Sequence, residues 1–168
     1  MKHGPRHHVK LRRHRNGRTD YRKRLSLLKS RKIRIVIRKS LKNIKVQFVE
    51  YHPSGDKIIV SAISSELIKK YGWKYSTATT SASYLTGLIA GKKAIKKGVK
   101  EGILDLGRNP PTTGNKIFAA IKGVVDAGID CPHDSSKIPA EDRILGKHLG
   151  KEISPKITDI KSNIIGGK

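Results

Sequence analysis

Between residues 32 and 63 apolar and polar positions alternate three times. Ile33, Ile35 and Ile37 fall on one side of Lys32–Arg38, with Arg34 and Arg38 on the other and Val36 interrupting the polar face. Ile44, Val46 and Phe48 alternate with Lys45 and Gln47 along Ile44–Tyr51. A third run, Lys57–Ile63, follows the turn residues Pro53-Ser54-Gly55-Asp56. A period of two marks half-buried strands, and links this short predict an antiparallel meander.

The period then changes. Ser64–Lys70 predicts one or two helical turns ending near Gly72. A longer helix is expected over about Ser81–Lys97, with Ala82, Leu85 and Ile89 on one face. Gly87 and Gly91, four apart, imply that this helix lies close on the sheet. Gly102–Gly107 reads as a short buried strand before the break Asn109-Pro110-Pro111. Lys116–Gly128 carries the stripe Ile117, Ala120, Ile121, Val124 and is a helix that Thr113 or Asn115 can cap. From Cys131 onward the chain reads as loop-rich, with a short helix from Pro139 to Leu149 and a fraying end at Gly166–Lys168. A meander followed by helix, strand and helix predicts an α/β fold: one mixed sheet with packed helices, preceded by a basic extended arm. The expected division is an arm over 1–30, an α/β body over 31–130 and a C-terminal segment over 131–168.

Charge changes the picture most. Of 168 residues, 37 are Lys or Arg and 13 Asp or Glu, a formal net charge of +24. Residues 1–45 hold 18 of those cations and a single acid, Asp20, leaving the segment at +17 and the remainder at +7. An isolated domain repels itself at such a charge, so a polyanionic partner is expected, with affinity drawn from counterion release. The arm has almost no large apolar residue before Leu25 and cannot build a core alone. Within it, Arg18–Leu28 predicts a short helix capped by Thr19 or Asp20, with Tyr21, Leu25 and Leu28 on one face and Arg18, Arg22 and Lys23 off it. Tyr21 either stacks on an unpaired base or packs the helix on the body.

Other chemistries are poorly supported. The basic N-terminus has no apolar run behind it to make a secretory signal. The longest apolar stretch, about ten residues around Tyr84–Ala90, is shorter than a membrane span requires. One cysteine, Cys131, excludes an internal disulfide, so a cytoplasmic location is expected. Asp105 resembles a nuclease carboxylate by its place on a strand, but Asp56, Asp126 and Asp130 lie in a turn or at a helix end. It reads better as a strand-end residue accepting from nearby backbone N–H groups. Gly114-Asn115-Lys116 opens a helix without a phosphate-loop pattern, and capping explains it better than a phosphate site. Cys131-Pro132-His133 has no second cysteine pair for zinc, and His3, His7, His8 and His14 read as exposed or RNA-facing. No enzyme, cofactor, metal or small-molecule substrate is expected.

The segments also resemble, in order and spacing, the archaeal-type family of large-subunit ribosomal proteins that bind 5S ribosomal RNA. The resemblance rests on Gly4-Pro5-Arg6, Arg18-Thr19-Asp20-Tyr21, Leu27-Leu28-Lys29-Ser30, Tyr71-Gly72-Trp73-Lys74, Tyr84-Leu85-Thr86-Gly87, Leu104-Asp105-Leu106-Gly107, Asp126-Ala127-Gly128 and Gly146-Lys147-His148. It covers about residues 3–150. It implies a structural constituent of the ribosome with 5S rRNA as partner, along with 23S rRNA and neighbouring large-subunit proteins. Leu41 departs from the family pattern, which leads us to expect Asn after Lys39-Ser40. The residues expected at the RNA are Arg6, Lys10, Arg12, Arg13, Arg15, Arg18, Tyr21, Arg22, Lys23, Arg24, Arg34, Arg38 and Lys39. The alternative weighed is a sequence-neutral nucleic-acid-compacting protein. That class shares the charge but is expected to carry a dimerising or groove-wedging element, and none is evident.

Overall fold

A computed structural model describes residues 4–150 and 153–166. His3 and the last two residues of the expected fraying end fall outside that range. Three antiparallel strands come first, β1 (Arg34–Lys39), β2 (Ile44–Glu50) and β3 (Lys57–Ile63), and β4 (Ile103–Asp105) later joins β1 in parallel. The sheet order is β3-β2-β1-β4, the mixed sheet that the alternation predicts. The register is clean along β1–β2, from Arg34 opposite Val49 to Lys39 opposite Ile44. It shifts between Phe48 and Val49 on β2–β3, a bulge that lets one residue of β3 go unpaired.

The alternation decides the two faces. Ile35, Ile37, Ile44, Val46, Phe48, Val60 and Ala62 point one way and are buried. Arg34, Val36, Arg38, Gln47, Val49 and Asp105 share the opposite face by strand alternation and register.

Helices α3 (Ser65–Tyr71), α4 (Thr80–Lys96) and α5 (Lys116–Asp126) follow the meander in the predicted order. Gly72 ends α3 at φ +63°, the left-handed cap that glycine adopts without strain. Asn115, and not Thr113, caps α5 by accepting from the N–H of Ile117. Helix α4 is buried on nearly every side, from Thr80 to Gly91 without a break. Its glycines contradict the expected sheet contact. Gly87 lies against the carbonyl of Ala120 and Gly91 against Ala127 and Val124, all in or just past α5, while Gly123 of α5 lies against the carbonyl of Tyr84. The small residues therefore bring two helix backbones together. Larger residues of α4 such as Leu85 and Leu88 are fully buried in the common core.

The C-terminal segment departs further from its loop-rich expectation. The helix expected over Pro139–Leu149 is confined to α6 (Glu141–Ile144), and a further helix, α7 (Ile153–Gly166), follows. Ile153, Ile157, Ile160 and Ile164 of α7 recur at helical spacing and are buried in the same core. Pro155 sits in the first turn, where its missing N–H has no intrahelical acceptor, so it does not break the helix. The Ser154 hydroxyl donates to the carbonyl of Leu145 (2.8 Å) and ties α7 to α6.

Candidate nucleic-acid interface

The arm contains two helices, α1 (Arg12–Arg15) and α2 (Tyr21–Lys29). The first is one turn that the polar run around it did not signal. Asp20, and not Thr19, caps α2, accepting from the N–H groups of Arg22 (3.1 Å) and Lys23 (3.2 Å). The Lys23 N–H contributes most to holding the Asp20 carboxyl below its ordinary range, and the charge of Arg108 adds to it. Gly17 turns the chain between the helices at φ +64°, with the Arg108 guanidinium so close that a Cβ there would meet Nη1 at 3.0 Å.

The expected apolar face of α2 does not become a packing face. Leu25 is 59% exposed and no residue of α2 is buried. The helix instead stands off from the sheet over a groove of about 870 Å³, lined among others by Arg13, Arg18, Tyr21, Lys23, Arg38 and Asn109. Half-buried Tyr21 meets the His14 ring edge-on, with centroids 6.3 Å apart.

Charge holds α2 in place. Arg24 Nη2 lies 2.9 Å and 2.8 Å from the two oxygens of Asp56, in the turn before β3. The same carboxylate accepts from Arg34 Nη2 at 2.7 Å. Arg34 reaches on to Asp105 of β4 through Nη1 (3.1 Å), and Asp105 also takes Arg38 Nη2 (2.9 Å) and the N–H of Gly107 (2.8 Å). The last bond is the strand-end role expected of Asp105; the two guanidiniums are added to it. Partial burial alone would raise the Asp56 carboxyl, but the hydrogen bonds and charges of Arg24 and Arg34 outweigh that and hold it below its ordinary range.

The thirteen expected contact residues therefore divide. Arg6, Lys10, Arg12, Arg13, Arg15, Arg18, Arg22 and Lys23 are exposed on the arm and form no ion pair with a described carboxylate. Arg13 Nε donates to Thr19 (3.0 Å). Arg24 and Arg38 are partly exposed but already bonded to carboxylates. Arg34 is 2% exposed, between two acids, and is a structural cation within the sheet face rather than a surface one. Alternation placed it correctly opposite the core; no local pattern shows that two distant acids cover it. Lys39 lies outside the groove, on a second cleft at the end of β1. Asp56, Asp105 and Arg108 are parts of the site that motif reasoning did not assign. The scarcity of acids was the available signal, since each buried or half-buried carboxylate in so basic a chain is a candidate organiser of cations. Among the described residues no group of three His, Cys, Asp or Glu side chains is gathered as a metal ion would need.

An α/β body with one sheet face under helices, and the other under a cation-rich groove, defines a protein shaped to meet a polyanion. The family model described as "Ribosomal large subunit proteins 60S L5, and 50S L18" matches residues 5–102 and 96–134. Large ribosomal subunit protein uL18 of Korarchaeum cryptofilum is 52% identical over 144 residues, covering 86% of this chain and 73% of that protein. The protein of the same name from Methanococcoides burtonii is 45% identical over 167 residues, 96% of each. The chain belongs to this family of large-subunit ribosomal proteins, and it is a structural constituent of the ribosome and not an enzyme.

Proposed function

We propose that the chain binds 5S rRNA through its arm and the groove beneath α2, and so helps to attach that RNA to the large subunit. The observation that carries this reading is the contrast in charge pairing. The groove-side cations Arg24, Arg34 and Arg38 are paired with Asp56 and Asp105, whereas the arm's outward cations form no ion pair with a described carboxylate. The paired set fixes where the arm lies; the unpaired set is left for phosphates. Arg forks suit phosphate oxygens, and recognition of folded RNA by shape and unstacked bases suits a groove with a half-buried Tyr21 at its edge.

Within the arm, Arg12, Arg13, Arg15, Arg18 and Arg22 are the phosphate contacts, with Arg24 exchanging between Asp56 and RNA. With roughly 6–8 phosphates neutralised, the log–log dependence of affinity on salt has a slope of about −5. Filter binding of full-length and residue 1–30-deleted protein to a 5S transcript, with duplex DNA as competitor, tests this. Loss of tight binding on deletion and poor competition by DNA are expected. Undiminished affinity of the deleted form, or equal competition by DNA, would overturn it.

A further inference from the structure

We propose that the cleft at the carboxyl end of β1 is a second RNA-phosphate seat, separate from the arm and its groove. This rests on the reading of the chain as an rRNA-binding protein and adds a site to it. The cleft has a volume of about 320 Å³ and shares no lining residue with the groove under α2. Three exposed cations from three elements line it: Lys39 at the end of β1, Lys116 at the start of α5, and Arg143 of α6. Among the described residues none of the three forms an ion pair and no carboxylate lines the cleft. Three like charges turned toward one concavity repel one another in the free protein, which an anion relieves.

Thr80 points to the same ligand independently. It is 7% exposed as a residue and lines the cleft, and its hydroxyl makes no hydrogen bond among the described residues and stays open to solvent. A phosphate oxygen seated in the cleft gives that hydroxyl an acceptor. Two helices, α4 of 17 residues and α5 of 11, begin at the cleft, so their first N–H groups and positive dipole ends lie beside it. Capping accounts for Asn115 but leaves Thr80 and Arg143 unexplained.

The walls are held. Asn43 Oδ1 accepts from Ser64 (3.2 Å) and Thr77 (3.2 Å), fastening the β1–β2 hairpin to the loop before α4. The N–H of Gly114 donates to the carbonyl of Lys137 (3.0 Å), fastening the turn before α5. A preformed mixture of cations, a hydroxyl and backbone N–H groups fits phosphate better than the flat carboxylates of an acidic peptide.

The test uses the full-length chain with rRNA transcripts of the large subunit, 5S included. A hydroxyl-radical-generating iron chelate is tethered at Thr113→Cys, and in a second sample at Asn16→Cys. Buried Cys131 is shielded from the label. The cleft tether is expected to cut an RNA segment different from the one cut by the arm tether. Lys116→Gln/Arg143→Gln is expected to flatten the log–log salt slope by about 1.5 and weaken binding roughly tenfold at 0.15 M salt. Thr80→Val is expected to weaken binding by up to about tenfold with the slope unchanged. Both variants should retain the parent's thermal midpoint in the absence of RNA. No cutting from the cleft while the arm tether cuts, or unaltered affinity and slope in the double variant, overturns the second seat and leaves the arm reading intact. Failure of the arm deletion to weaken 5S binding would instead sink the reading beneath it.

Discussion

Asp105→Ala should destabilise the RNA-free protein far more than loss of a surface acid would. The carboxylate serves Arg34, Arg38 and the N–H of Gly107 together. Arg38 is 43% exposed on its side chain and keeps its bonds to the main-chain oxygens of Ile37 and residue 105, so it loses little. Arg34 has no such escape. It is 2% exposed, its Nε already has no partner, and after the change only its bond to Asp56 remains. Removing one member of a buried pair costs about 3–5 kcal/mol; the surviving Asp56 contact and water in the groove reduce this to about 2–4 kcal/mol. For a chain of this length that lowers the thermal midpoint by roughly 5–15 °C. Urea and thermal unfolding at pH 7 would measure it, together with the double variant Arg34→Met/Asp105→Leu. Apolar replacement of a whole buried pair is often neutral, so the double variant should recover to within about 1 kcal/mol of the parent. A single variant within about 0.5 kcal/mol of the parent, or a double variant no better than the single, would refute the claim that an uncompensated Arg34 is the source of the cost.

Other outcomes follow from the same geometry. Gly123→Ala should cost about 3 kcal/mol in urea unfolding, because its methyl would run into the carbonyl of Tyr84, while Gly166→Ala, with nothing near it, should be neutral. Burial, aided by the charge of Asp130, pushes the Cys131 thiol up to about 11, so a disulfide reagent at pH 8 should leave it unmodified in the native protein and titrate one thiol in denaturant. The carboxyls of Asp56 and Glu66 lie below their ordinary values of 3.8 and 4.5, lowered by Arg24 and Arg34 and by Lys93 respectively, against the opposing effect of burial. The unfolded chain therefore binds more protons, and the stability these groups contribute is present above their ordinary values and lost as pH falls through the folded ones. Asp56→Asn/Glu66→Gln should accordingly show a smaller drop in urea midpoint between pH 6 and pH 3 than the parent, and an equal drop would refute it.

What sequence could show depended on whether the cause was local. The strands were legible because β1 and β2 alternate within themselves, and α4 and α5 because their apolar spacing is long and periodic. Helix α7 has an equally regular isoleucine spacing, but Pro155 and the terminal glycines masked it; only the proline's place in the first turn makes the helix possible. The glycines of α4 signalled a close approach without saying to what, since sheet and helix can both exploit a missing Cβ. The exposed arm cations were evident from density alone. Burial of Arg34 was not, because it depends on acids 22 and 71 residues away that no periodicity connects to it. The convergence of Lys39, Lys116 and Arg143 is likewise produced by the fold and leaves no trace in spacing.

The bulk of the molecule coheres through hydrocarbon contact, whereas α2 is moored to it by Arg24 and Asp56. Dissolved electrolyte weakens the second kind of attachment and barely touches the first. In concentrated brine the leading segment should swing free while the remainder keeps its shape, so the ionic conditions that strip RNA from the protein also undo the pose in which RNA was received.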